Sequence, residues 1–406
     1  MSTLKVDNIR HNSATSDAIT MASDGTCTAK ITSINGGSQL SHRNKIHNGS
    51  FIINQRGGPY TSTGSENMMD RFSHGESASF TFDTTTTVDS SGPAGFRKSL
   101  KITPDSTQTP TGGQNAFIGH RIEGQDLQDL CFGTSSAKKI TISFYAKSSS
   151  QNNNHQYTLQ IRKYDDSNNR NMVNRAFTVT SSWQRFIMTF DGDTAENIRN
   201  DNGAGMQILW HLSTGPDDIH GASTTFGRTV NNSLYSGVTG QSNFMDNTSN
   251  EFYLTGVQLE VGDTATSFEH RSFTDELTRC QRYFVRTDFT SHCTAYFGGT
   301  HLFRQIQFAC PTPMRAAPTF SVTGNEGGTT KFTLKTWSSD QNMTATPSAV
   351  HRHHTDYVHG TTSDAVHTVS LGIDFASSDS GIPPNGPGNH NVYACRMYGA
   401  NLDAEL

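Results

Sequence analysis

Apolar residues are scarce in this 406-residue chain, at 33% of the total. That is too little for one large close-packed globule. It suits thin β-domains with long loops, or chains that share a core in an oligomer, and the length allows two or three domains. No apolar run of about 18 residues occurs, so no membrane-spanning helix is expected. The opening MSTLKVDNIRHN lacks the apolar stretch of a secretory signal. Positive charge is not in excess: 31 Lys and Arg stand against 36 Asp and Glu, a net charge of −5. A nucleic-acid partner would call for a concentrated basic face, so none is expected. The six cysteines are widely spaced and form no C-x-x-C pair, as expected of free thiols in a reducing cytoplasm. Gly-x-Ser-x-Gly elbows, phosphate loops and His-Glu-x-x-His motifs are absent. So is any long repeat of the solenoid kind.

What the chain does contain is alternation. Phe80 and Phe82, Leu100 and Ile102, Ile140, Ile142, Phe144 and Ala146, then Tyr157, Leu159 and Ile161 recur with period two. Phe186, Met188 and Phe190 follow, and then Met206, Ile208, Trp210 and Leu212. Gly, Asn, Asp and Ser loops separate these segments, and no crossover helix of sufficient length joins them. Short antiparallel strands in a sandwich are therefore predicted over residues 44–271.

Residues 251–286 close that domain. Phe252 and Leu254 alternate, Gly256 allows a bulge, and Val257, Leu259 and Val261 resume the stripe. Ser272 stands three residues before Asp275, an N-cap signature, with Leu277, Cys280 and Phe284 at helical spacing behind it. A linker helix over 272–286 is predicted, with Tyr283 and Phe284 each covered by a different neighbouring domain. Residues 1–43 carry too few apolar side chains to bury a core and read as an extended leader held by a partner or by copies of itself. Residues 287–406 read as a C-terminal β-domain in which Pro311, Pro313 and Pro318 mark an edge or a loop. The expected class is thus all-β: leader, jelly-roll-like β-sandwich, short helix and second β-domain.

Several phrases resemble a known family. TGVQLEVGDTATSFEHRS followed by ELTRCQRYF is similar to a run common in tail fibres and other receptor-binding proteins of tailed bacteriophages. NGSFIINQRG, AFIGHRIEG, KKITISFYAKSS and FTVTSSWQRFIMTFDG resemble the jelly-roll modules of the same proteins, in the same order. The leader LKVDNIRHNSATSDAITMASDG, the phrase PMRAAPT and the end LDAEL are also similar to such fibres. The resemblance implies a carbohydrate-module-like jelly roll in a virion protein, assembled in the host cytoplasm. It implies a tail fibre that binds a host glycan without cleaving it, with the leader docked on other particle proteins. A parallel homotrimer follows from the thin leader and the low apolar content. Two alternatives stand beside it: a head decoration or fibre-adaptor protein, and a glycan-degrading tailspike.

Candidate chemistry lies in three groups. Tyr145, His155 and Trp183 could offer flat faces to sugar rings, and His211 also alternates away from the apolar stripe and is expected to be exposed. Trp210 shares a face with Ile208 and Leu212 and reads as core. His351 and His353 would share one face of a strand, so they could hold a metal, although solvated loop histidines are the plainer reading. Glu123, Asp126, Asp165, Asp166, Asp191, Asp193, Asp217 and Asp218 could supply a hydrolytic pair or a structural Ca²⁺. Turn-forming Asp, bonded to its own backbone, is the plainer reading of these. No cofactor is required.

Overall fold

The computed structural model describes residues 6–10, parts of 19–29, and 42–294 apart from 63–65, 78–79, 168 and 229–234; beyond these it describes the strands between 296 and 403 and the final residues to 405. From 287 onward, side chains are described only within 310–319 and 401–405. The strands are, in chain order, β1 (Asn8–Ile9), β2 (Ile19–Met21), β3 (Cys27–Ala29), β4 (Tyr60–Ser62), β5 (Glu66–Met69), β6 (Phe72–Glu76), β7 (Thr84–Asp89), β8 (Ser99–Pro104), β9 (Asn115–Glu123), β10 (Ile140–Ser148), β11 (Gln156–Tyr164), β12 (Arg170–Thr178), β13 (Gln184–Phe190), β14 (Ala204–Thr214), β15 (Ile219–His220), β16 (Gly227–Arg228), β17 (Gly237–Val238) and β18 (Phe252–Val261). After helix α1 (Phe273–Gln281) come β19 (Phe284–Thr294), β20 (Tyr296–Gly298), β21 (His301–Met314), β22 (Thr319–Val322), β23 (Phe332–Thr336), β24 (Ser339–Met343), β25 (His351–His353), β26 (Val366–Ala376) and β27 (Val392–Asp403). The protein is all-β, and among the described residues no helix is long and apolar enough to cross a membrane.

Two antiparallel sheets form the jelly-roll-like sandwich. One has six strands in the order β13-β10-β18-β8-β7-β4; the other has seven, β16-β12-β11-β14-β9-β6-β5. The period-two stripes point into the space between them. Ile140, Ile142, Phe144 and Ala146 on β10 meet Tyr157, Leu159 and Ile161 on β11 and Met206, Ile208, Trp210 and Leu212 on β14 in one core. Phe144 stands perpendicular to Trp210, with ring centroids 5.7 Å apart. β18 is buried along nearly its whole length. Its pairing with β10 slips between Ser143 and Tyr145, opposite Gly256, whose φ of +62° suits a residue without a side chain. A Cβ there would come within 2.8 Å of the Phe96 ring and 2.9 Å of Tyr145.

Helix α1 begins as its sequence predicts: Ser272 Oγ accepts from the Asp275 N–H at 3.1 Å. Tyr283 and Phe284 depart from expectation. Both rings are capped by guanidinium groups of the sandwich, Arg71 at 3.3 Å from the Tyr283 centroid and Arg56 at 3.8 Å from that of Phe284. The reason is that the chain turns straight back: β19 starts at Phe284, so both aromatics stay against the sandwich. The carboxyl end is bound there too, with Ala404 N–H donating to the Tyr283 carbonyl at 2.7 Å and Glu405 paired with the buried Arg71.

β19 and β27 anchor one C-terminal sheet, while β20-β21-β26-β25 form another. Pro311 and Pro313 were expected at an edge or loop. They fall within β21 but beyond β20, which pairs only with His301–Phe303, and in the gap where pairing with β26 jumps from Ala309↔Thr368 to Met314↔Val366, so they occupy a locally unpaired edge as expected. The irregularity accommodates residues that cannot donate to the ladder. The leader is not wholly extended: β1, β2 and β3 pair as a short antiparallel meander.

Candidate functional site

The outward face of the seven-stranded sheet carries a grid of polar side chains fixed by strand register. Phe117, His211, Thr158 and Ala176 align across β9, β14, β11 and β12. The next row is Gly119, Leu209, Gln160 and Asn174, and the third is Arg121, Gln207, Arg162 and Met172. Tyr164 pairs with Arg170 at the edge. An outward sheet face normally meets water, yet His211 and Gln160 are completely buried and Gln207 and Arg162 nearly so. Part of the cover is the segment 235–243. The Tyr235 carbonyl accepts from Gln160 Nε2 at 2.6 Å and from Asn174 Nδ2 at 2.7 Å. Val238 N–H donates to Thr158 Oγ1 at 2.9 Å, and Gln241 Nε2 donates to the His211 carbonyl at 2.9 Å.

Within the grid, Arg162 Nη2 donates to Gln160 Oε1 at 2.8 Å and the Tyr164 hydroxyl to Gln207 Oε1 at 2.7 Å. Other polar atoms are left over: among the described residues, both ring nitrogens of His211, Nε of Arg162 and Oδ1 of Asn174 have no hydrogen-bond partner. Burial, and then the charge of Arg162, hold His211 well below the usual imidazole pKa, so its ring is neutral near pH 7 and offers one donor and one acceptor. Imidazole, amides and guanidinium on one rigid face are planar groups suited to bonding pairs of adjacent hydroxyls or a carboxylate. His211 was expected to be exposed. It is buried because the neighbouring strand and the segment above cover its side of β14, with the Phe117 ring 5.3 Å away.

The residues singled out from sequence do not form one site. Tyr145 and Trp183 both belong to the outer side of the six-stranded sheet. Tyr145 is half-buried beside Phe96, at 5.4 Å. Trp183 is half-buried against Tyr253 at 6.1 Å, with Lys147 Nζ 5.3 Å from its ring. His155 stands at the start of β11, where its Nδ1 lies 3.4 Å from the Tyr157 hydroxyl. His351–His353 forms a strand paired with β26, but the side chains of His351 and His353 lie outside the described residues. Among the described residues no group of three or more His, Cys, Asp or Glu is placed to hold a metal.

The carboxylates are tied into structure. Glu123 is completely buried, and Arg282 grips both its oxygens at 2.8 and 2.7 Å. Asp193 holds Lys163 at 2.8 Å, Asp165 caps the turn at Asn169, and Asp191 pairs with Lys139 at 3.3 Å. Asp166 accepts from Asn197, and Asp217 and Asp218 lie in a single short turn. Asp126 follows Glu123 in the turn of Gly124–Leu130. A cavity of about 510 Å³ lies where the start of the sandwich meets α1 and β21, lined by Lys45, His47, Arg279, Arg282 and Thr312 among others. Its lysine and arginines already have acidic partners: Lys45 pairs with Asp129, Arg279 with Asp275 and Arg282 with Glu123.

No protein-family model matches the chain, and no curated protein matches its sequence. Solved structures that resemble parts of it include the enzymatically active domain of tailspike protein 4 from bacteriophage CBA120, at 12% identity and a TM-score of 0.29, over 54% of this chain and 21% of that one. The chain therefore spans about a fifth of that tailspike structure. A xylan-binding domain of Paenibacillus barcinonensis is similar at 12% identity and a TM-score of 0.27, over 57% of this chain and all of its own. A family 11 carbohydrate-binding module of a Clostridium thermocellum cellulase is similar at 12% identity and a TM-score of 0.27, over 52% of this chain and all of the module.

Proposed function

We propose that this chain is a non-enzymatic particle protein of a tailed phage, most simply a tail fibre, and that the polar face of its seven-stranded sheet binds a host surface glycan. The observation that carries the reading is the set of buried, unpartnered polar atoms on that face: His211 Nδ1 and Nε2, Arg162 Nε and Asn174 Oδ1. Buried polar groups in folded proteins are nearly always bonded, and each one left unmade costs about 1–3 kcal/mol. They lie beneath residues 235–243, so a ligand rich in hydroxyls would supply their partners by displacing that cover. The phrases resembling phage fibre modules support the same biological setting. Against hydrolysis, Glu123, the most buried acid of the candidate set, has both oxygens committed to Arg282. Exposed Val6, Ile9 and Met21 in the leader favour a parallel trimer in which other copies cover them. Weak sites repeated on three chains would then hold a cell by multivalency.

The test is adsorption of the purified full chain to host cells and envelope polysaccharide, with reducing ends assayed in parallel. Binding without release of reducing ends is expected, and sustained release would make the protein a glycan-degrading enzyme instead. Absence of adsorption would favour the decoration or adaptor role. Mass photometry is expected to show a trimer; a stable monomer counts against that assembly.

A further inference from the structure

Three separate stretches of the C-terminal region return to one place on the sandwich. The first is the start of β19. The Phe284 carbonyl there accepts from Gln55 Nε2 at 2.8 Å, and the Phe284 ring lies beneath the Arg56 guanidinium. The second is Arg315, just past β21. Its N–H donates to the Arg282 carbonyl at 2.9 Å, and its guanidinium reaches the carbonyls of Ala404 at 2.9 Å, Asn202 at 2.9 Å and Glu405 at 3.2 Å. Asn202 Nδ2 donates back to the Arg315 carbonyl at 2.8 Å. The third is the end of β27 and the residues after it. Asp403 accepts from Arg56 Nη1 at 2.8 Å, and Glu405 pairs with Arg71 and lies 3.6 Å from Arg56 Nη2. Arg282, at the close of α1, completes the joint: it holds Glu123 through Nε and Nη2 and offers Nη1 to the Pro313 carbonyl at 3.4 Å.

Burial decides what these contacts do. The side chains of Arg71 and Glu405 are 1% and 6% exposed, and that of Arg56 is 10% exposed. Among the described residues, the carboxylates paired with Arg56 and Arg71 belong to the C-terminal region. Separating the two units would leave two buried guanidiniums on one side and a buried carboxylate on the other. Breaking a buried ion pair in this way costs far more than breaking an exposed one. Domains that share only a linker move independently by default. We infer that this joint instead clasps the sandwich and the C-terminal strands into one cooperative unit. It reaches the seven-stranded sheet at two strands, since Glu123 ends β9 and Asn202 stands just before β14. A displacement of the C-terminal strands is thereby passed to that sheet.

Hydrogen exchange of the full chain tests the clasp. In the parent, the amides of β19 and β27 are expected to exchange through the same opening as those of β10 and β18. Arg315→Ala is expected to make β19 and β27 exchange at least tenfold faster relative to β10 and β18. Should that variant fold poorly, Arg56→Gln leaves Arg71 and Arg315 in place and is expected to shift the same ratio several-fold. Lys139→Gln breaks a pair whose side chains are 54% and 45% exposed, and it is expected to leave the ratio unchanged. A parent chain in which β19 and β27 exchange independently of β18 would overturn the inference, and so would a ratio that neither arginine change moves.

Discussion

Lowering the pH from about 7.5 to about 5 is expected to bring the sandwich close to unfolding, through imidazoles that the fold keeps neutral. His74, His120 and His211 are 2%, 1% and 0% exposed. His74 abuts the Phe82 ring at 5.8 Å, and His120 meets the edge of Phe72 at 5.0 Å. Burial lowers His74 to about 4, and it holds His120 and His211 well below the usual value, helped by Arg71 and Arg162 respectively. In the unfolded chain each titrates near 6.5. Stability from these groups is therefore full above about pH 6.5 and is lost progressively as the pH falls toward the folded values. Each group contributes a slope of about 1.36 kcal/mol per pH unit, hence about 2 kcal/mol lost per histidine at pH 5 and about 6 kcal/mol for the three. Whole domains have only about 5–15 kcal/mol to lose. Asp70, whose carboxyl is raised by burial, works in the opposite sense and offsets part of the fall. Urea titrations followed by circular dichroism at half-unit pH steps measure the slope directly. His74→Gln is expected to flatten it by about one proton while lowering stability at neutral pH. Unfolding free energy that stays level between pH 6.5 and 5 would refute the argument.

Three further perturbations follow from single contacts. Glu123→Gln leaves Arg282 facing a neutral amide at a fully buried position, and a loss of about 3 kcal/mol is expected in urea denaturation. Gly256→Ala puts a Cβ against Phe96 and Tyr145 at φ +62°, so a loss of about 1–3 kcal/mol is expected by the same measurement. Glu405→Ala strips the buried Arg71 of its carboxylate, and faster limited proteolysis of the C-terminal strand is expected, with cleavage rates unchanged from the parent chain counting against the contact.

The parts of this fold that were legible in sequence are those set by local rules. Period two placed Ile140, Ile142, Phe144 and Ala146 on an inward face because alternation is a property of the strand itself. Ser272 and Gly256 announced a cap and a bulge because backbone geometry at those points admits few side chains. The polar face escaped notice for the complementary reason. Gln160, Arg162, Gln207 and His211 occupy the outward phase of β11 and β14, and polar residues in that phase look solvated until something crosses them. What crosses them is the segment 235–243, whose contacts through Tyr235 and Gln241 join residues 30 to 83 positions apart in sequence. One local signal was available. A strand face built to meet water usually carries Lys and Glu, whereas these two strands present amides, imidazole, guanidinium and Tyr164 outward, beside Thr158 and Leu209. Such groups lose much when buried without partners and gain much when a ligand supplies them. The composition of the outward stripe, read as closely as that of the inward one, is the signal on which the proposed binding face of the seven-stranded sheet rests.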